Sequence, residues 1–271
     1  MTARAWLGAL AAALALAGCG DDGRKPVIPH PAWSPRAAMR FAVAGEDTTR
    51  IALEYPDFLG APTPEALDSL RRAVSEITLA RSWGDPAGRY ADTTSALEGF
   101  IAAWVDARAA NRREPTWTFE RRTSVAGDTL RLVTLRTEEF AFTGGAHPNS
   151  NVTYRVLDVF TGRTLGFDAL FRAEALDSLS RAIEPAFRRA RGLPPDSSLA
   201  EAGFWFENGA FRAPRNVGVV ANGVTFRFNA YEVAPYASGP TEFTVPFAAV
   251  EPFANPMGPL APFPEPRRKK R

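Results

Sequence analysis

Hydrophobic positions recur along the chain with two different periods, and the changes from one to the other mark out its elements. Ile51, Leu53 and Tyr55 alternate with Ala52 and Glu54, which predicts a half-buried strand whose ladder Pro56 is expected to stop. Thr63-Pro64-Glu65 reads as a helix cap, a first-turn proline and a first-turn acid, and Leu67, Leu70, Val74 and Ile77 follow at helical spacing. A second helix is predicted where Leu97, Phe100, Ile101, Trp104, Val105 and Arg108 fall on one stripe. From Thr116 the period drops to two, with Trp117 and Phe119 alternating with Thr116, Thr118 and Glu120. Ala126-Gly127-Asp128 is then expected to turn the chain into a strand over 130–137. Apolar residues become adjacent at Leu132-Val133, which predicts a bulge or a two-faced central strand.

Strand patterns return at Val152, Tyr154 and Val156, around a Thr161-Gly162 turn, and on both sides of Asn222-Gly223. That last pair is a strong hairpin signal, with Val219 and Val220 before it and Val224, Phe226 and Phe228 after. Leu176, Leu179, Ile183 and Phe187 predict a helix over 172–191, which Pro185 should kink and Gly192 should end. Ser197 or Ser198 is placed to cap a short turn before Phe204 and Phe206. Together these elements predict an α+β fold, a mixed and mainly antiparallel sheet packed with several helices.

The ends differ from this body. An apolar stretch after Arg4 runs to Leu16-Ala17-Gly18-Cys19, and Cys19 is the only cysteine of the chain. The stretch is shorter than the ~20 residues a membrane span needs and has the shape of a secretory signal. Leu-Ala-Gly-Cys resembles the lipobox of bacterial lipoproteins; a plain signal with a chance cysteine and a short membrane anchor are the alternatives. The reading divides the chain into a signal peptide over 1–18, a proline-rich tether over 19–40, a folded body over 41–142 and 143–252, which one compact unit can contain, and a proline-rich basic tail over 253–271. It places the protein in the bacterial cell envelope, exported and held on a membrane by lipid on Cys19, with inner or outer membrane left open.

With that thiol acylated, disulfides, cysteine-ligated metals and cysteine nucleophiles are excluded from the mature chain. The formal net charge is +2. Five positive charges at 267–271 and Arg4 account for more than that, so the body is mildly acidic and no nucleic-acid partner is expected.

The densest polar constellation is Thr143-Gly144-Gly145-Ala146-His147-Pro148-Asn149, between two predicted strands; of the two histidines, His30 falls in the tether. Either Gly144 and Gly145 bring backbone donors toward a ligand that His147 also bonds, or the segment is a tight connection in which His147 satisfies buried carbonyls. No cofactor is expected, and no metal, because one folded histidine and no thiol fall short of a zinc site. Ser150 and Asp158 near His147 could complete a triad by count, but no Gly-x-Ser-x-Gly elbow exists to present a serine. Glu138 and Glu139 could serve glycoside hydrolysis, but neighbours on a strand point to opposite faces. Gly144-Gly145 lacks the lysine and helix of a phosphate loop. Asn151-Val152-Thr153 fits a glycosylation sequon by chance. Trp104, Trp117, Trp205, Tyr231 and Tyr236 are either core or platforms for sugar rings.

The run from Phe142 to Asn149, then Asp158-Val159-Phe160-Thr161-Gly162-Arg163-Thr164-Leu165 and Leu170-Phe171, resembles the domain-of-unknown-function family 3298, also called the RsiV C-terminal domain. The segment Tyr231-Glu232-Val233-Ala234-Pro235-Tyr236-Ala237-Ser238-Gly239-Pro240, with Phe243 to Phe247 after it, resembles the closing segment of that family. Ile51 to Ile77 is similar to the family 4163 segment that precedes it in RsiV-like and deacetylase-fused proteins. The resemblance implies extracytoplasmic binding without catalysis, of a cell-wall polymer such as peptidoglycan or of a lysozyme-like protein. Its implied ligand-binding surface is Gly144, Gly145, His147 and Asn149 with Tyr231 and Tyr236. The Asp and His-x-x-x-His of the fused deacetylases are missing, so that activity does not transfer. The alternative is an envelope hydrolase acting on wall glycan or peptide through His147 and a carboxylate.

Overall fold

A computed structural model of the chain describes residues 30–81, 88–111 and 115–261. Cys19, the segment 1–18, most of the tether and most of the basic tail lie outside the described residues. No helix among the described residues is long and apolar enough to cross a membrane.

Two long strands, β1 (Trp33–Ala44) and β2 (Asp47–Phe58), open the fold as an antiparallel pair. Helices α1 (Pro64–Thr78) and α2 (Thr93–Ala110) then form the crossover that lets β3 (Thr118–Thr129) run parallel to β2. The chain continues antiparallel through β4 (Leu132–Phe142), β5 (Asn149–Asp158) and the short β6 (Thr164–Leu165), giving a six-stranded sheet in sequence order. After a single turn, α3 (Phe167–Leu170), comes α4 (Leu176–Arg191). A second sheet follows from β7 (Val217–Val220), β8 (Gly223–Phe228) and β9 (Thr241–Val245), and a last turn, α5 (Phe247–Val250), closes it. The fold is α+β, with a mixed, mostly antiparallel main sheet.

The local signals explain most of these elements. Thr63 accepts from the Ala66 amide at 3.1 Å, and Asp92 forms a reciprocal capping box with Ser95 at the start of α2. Gly192 ends α4 in the left-handed region, as expected. That helix is unbroken through Pro185. Leu70, Ala73 and Val74 of α1 pack on Val133, Leu135 and Leu157, and Ala96 and Phe100 of α2 pack on Ile51, Leu53 and Phe119. The helices therefore cover one face of the main sheet. The third core lies between α4 and the second sheet, where Phe187 meets Phe204, Phe206, Phe211, Phe228 and Phe243.

Several boundaries differ from the sequence reading. The tether expected over 19–40 ends sooner, because β1 begins at Trp33 and pairs with β2 over its whole length. Pro56 does not stop β2: it faces Pro35, a pair with no amides to exchange, and the β3 ladder has already ended at Glu54. Gly127 is a bulge rather than a turn, since the β3 register shifts there and a Cβ would run into the Val219 carbonyl of β7. The turn falls instead at Leu130, whose φ is 58°. Residues 132–135 are all buried, so β4 is the two-faced strand. The division at 142/143 separates β4 from β5, which pair along ten residues of one sheet. At the other end Ala254 and Leu260 are buried and Ala254 bridges Phe171, so the fold extends past residue 252.

Candidate functional site

Strand alternation gives the main sheet a second face, turned away from α1 and α2. At one end of this face Leu132, Thr134 and Val156 lie under the second sheet: the Thr134 hydroxyl donates to the Val219 carbonyl at 2.6 Å and accepts from the Val219 amide at 3.0 Å. At the other end the face is open and carries charge. Arg50 pairs with Glu120, Arg122 with Glu54 and Arg136 with Glu138. The Arg122 guanidinium beside Glu54 holds that carboxyl below its ordinary value. Arg50, Glu54, Glu120, Arg122 and Glu138 floor a cleft of about 350 Å³, whose far wall is made by Arg227 of β8 and by Ala230, Tyr236, Gly239 and Pro240 of the connection from β8 to β9.

Two asparagines fix that wall in place. The Asn229 carboxamide accepts from the Val152 amide at 2.9 Å and donates to its carbonyl at 3.0 Å, while Asn216 accepts from the Tyr154 amide at 2.9 Å and donates to the same carbonyl at 2.7 Å. They supply what another strand would supply along this stretch of β5, and satisfy groups that would otherwise be left unpaired beside the second sheet. Burial, followed by the charge of Glu242, pushes the neighbouring Tyr154 phenol above its ordinary value, so it stays protonated at the seam.

The segment that leaves β8 past Asn229 meets the 143–149 loop at the rim. His147 stacks on Tyr236 with ring centroids 4.2 Å apart and planes 21° off parallel. The Pro148 carbonyl accepts from the His147 Nδ1 at 2.9 Å and from the Tyr236 hydroxyl at 3.0 Å. Since a carbonyl can only accept, the neutral ring carries its proton on Nδ1, and Nε2 faces the Tyr231 hydroxyl at 3.4 Å. Tyr231 holds φ at 68° and is 56% exposed. A bulky residue in the left-handed region costs about 1–2 kcal/mol, and here that conformation presents an aromatic ring to solvent beside a cleft. Gly144 and Gly145 adopt φ of 95° and 99°, and a side chain at Gly145 would meet nothing, so its requirement is conformational.

Of the six residues expected in a ligand-binding surface, the structure brings His147, Tyr231 and Tyr236 into contact and sets the two glycines in the same loop. Asn149 is exposed at the first position of β5, with no side-chain hydrogen bond to the three rings. The other chemistry does not assemble. Asp158 is buried, takes Arg131 as ion partner and accepts from the amides of Phe160 and Thr161, which orders the turn before β6. Glu138 and Glu139 go to different arginines, Arg136 and Arg121. No cluster of three metal-ligating side chains occurs among the described residues. Trp104 is core, whereas Trp205 is exposed and donates to the Glu232 carbonyl at 3.2 Å. Sequence reasoning missed the charged floor. Its signal is the spacing of Arg50 and Glu54, and of Glu120 and Arg122, on strands, a pattern that reads as any solvated sheet face.

Comparison with known proteins agrees with this geometry at the level of fold. A crystal structure of a DUF3298 family member from Bacteroides fragilis aligns with TM-score 0.67 at 16% identity, covering 83% of this chain and 94% of that one. A DUF3298 family protein from Pseudomonas aeruginosa aligns with TM-score 0.66 at 18% identity, covering 87% and 99%. No curated protein matches. Residues 168–248, which carry α4, the second sheet and both rim tyrosines, match the DUF3298 family model, described as a protein of unknown function.

Proposed function

We propose that this protein is a lipid-anchored binding protein of the bacterial cell envelope that holds a cell-wall polymer in the cleft and does no chemistry on it. The observation that carries this reading is the convergence of His147, Tyr231 and Tyr236, from segments 84 or more residues apart, over a floor of paired arginines and glutamates. Aromatic faces beside planar hydrogen-bonding groups suit sugar rings and their amide substituents. Two further features favour holding over cleaving. Glu54 is kept ionised by Arg122, the wrong direction for a general acid, and among the described residues His147 hydrogen-bonds a carbonyl and a hydroxyl rather than a carboxylate. The anchor rests on the Leu16-Ala17-Gly18-Cys19 sequence.

The test is co-sedimentation of the full chain with purified sacculi. Tyr236→Ala should weaken retention about tenfold, equivalent to about 1.4 kcal/mol, in a chain that stays folded at the assay temperature. Equal retention of wild type and variant overturns the reading, as does capture of lysozyme with no capture of sacculi. Release of soluble fragments that His147→Ala abolishes would establish the hydrolase instead. Cys19→Ser should move the protein from the membrane to the soluble fraction.

A further inference from the structure

We infer that the cleft is one half of a longer groove, and that a second chamber around Trp33 binds the continuation of the same polymer, a linear glycan. This rests on the reading above that the cleft holds a wall polymer. A separate cavity of about 480 Å³ lies on the open face, lined by Trp33, Pro35, Ala37 and Pro56, and it shares Glu54 and Arg122 with the first. The register explains the continuity. Pro35 faces Pro56, Ala37 faces Glu54 and Glu54 faces Arg122, so alternation puts Trp33, Pro35 and Ala37 on the same side as the charged floor. The Glu54–Arg122 pair is the saddle between the two chambers. From β5 below Tyr236 to β1 at Trp33 is four strand spacings, about 20 Å.

Each end of this path has an aromatic platform: the His147–Tyr236 stack at one, and at the other Trp33, a residue 42% exposed on a strand that pairs along its full length. The middle is charged but balanced, with four arginines and four glutamates lining the first chamber, so it neither attracts a polyanion nor repels a neutral chain. The floor is the face of a sheet and offers no run of free backbone groups, which an extended peptide would need for strand addition. Flat rings at the ends and fixed guanidinium and carboxylate groups between them match a chain of rings bearing hydroxyls and amides. Trp33 is thereby assigned to ligand binding, although the sequence places it in the tether.

The experiment uses the full chain and peptide-free glycan strands released from sacculi and fractionated by length, from disaccharide upward, with isothermal titration as readout. Wild-type affinity should rise about tenfold or more between the disaccharide and a strand long enough to span both chambers. Trp33→Ala should abolish that rise, so that long strands bind no more tightly than the disaccharide. Ala37→Arg, which keeps the indole but fills the chamber floor, should do the same, and Tyr236→Ala should weaken every length. A flat length profile, or a rise that survives both chamber variants, overturns the second chamber while retention on sacculi keeps the cleft reading. Binding of free stem peptides but of no glycan strand overturns the glycan assignment alone, and binding of neither strands nor sacculi removes both proposals.

Discussion

One face of the main sheet has two halves built on the same strands with the same alternation, one covered and one open. Leu132, Thr134 and Val156 lie beneath the second sheet, while Glu120, Arg122, Glu138 and Ser150, a few residues along β3, β4 and β5, face a cleft. The covered half carries no charge and is notched by glycine. A Cβ at Gly127 would collide with the Val219 carbonyl, and one at Gly218 would sit 2.6 Å from the Tyr154 ring and 3.0 Å from the Thr134 methyl. Backbone approaches that close bury Val219, whose amide and carbonyl are then satisfied by a single hydroxyl. The open half keeps its charges in lateral pairs exposed to water, where each contributes between nothing and about 1 kcal/mol. Stability therefore explains the residues of the first half and leaves those of the second to be explained by what the cleft holds.

The strongest way to break this contrast is Gly127→Val, which must push β7 away; it should cost about 3 kcal/mol in chemical denaturation and loosen the rim as well. Thr134→Val keeps the shape but strips both Val219 groups of their partner, with an expected cost of about 2 kcal/mol. Tyr231→Gly separates stability from binding: it removes a strained conformation, so stability should hold or rise by up to about 1 kcal/mol, while retention on sacculi falls. A loss of stability with unchanged retention would make Tyr231 a structural residue. The smallest effect belongs to the open half. Glu54→Gln should change stability at neutral pH by less than about 1 kcal/mol. Because the folded-state pKa of Glu54 is depressed, its contribution is present above the ordinary value of 4.5 and is lost as pH falls below it through the folded-state value. The variant's acid unfolding curve should lack that component, and identical curves would show the Arg122 pair to be energetically silent.

Much of the fold is legible locally because caps, turns and periodicity act over a few residues. Thr63-Pro64-Glu65, the stripe from Leu97 to Trp104, Gly192 and the hairpin after Val220 all stand where short-range physics puts them. The errors share a cause. Pro35 and the prolines beyond Pro252 look like linker, yet β1 is held by the next strand, β2, and Ala254 by the distant Phe171, partners outside the proline-rich segments themselves. Gly127 looks like a turn because its composition is that of a turn, and only the carbonyl of β7, some ninety residues later, makes it a bulge.

The site divides along the same line. Sequence by itself singled out His147, a histidine in a glycine-rich loop, and brought in Tyr231 and Tyr236 through the resemblance of their segment to the closing segment of a known family, each seen one segment at a time. Only the tertiary structure decided that the two segments are one rim, that Asn216 and Asn229 hold it against β5, and that Arg50, Glu54, Glu120 and Arg122 form its floor. Local sequence sets which conformations a segment prefers, through backbone sterics and side-chain hydrogen bonds within reach. Which surfaces face each other depends on burying apolar area between elements distant in the chain, and that is settled when the second sheet covers half of a face and leaves the other half open.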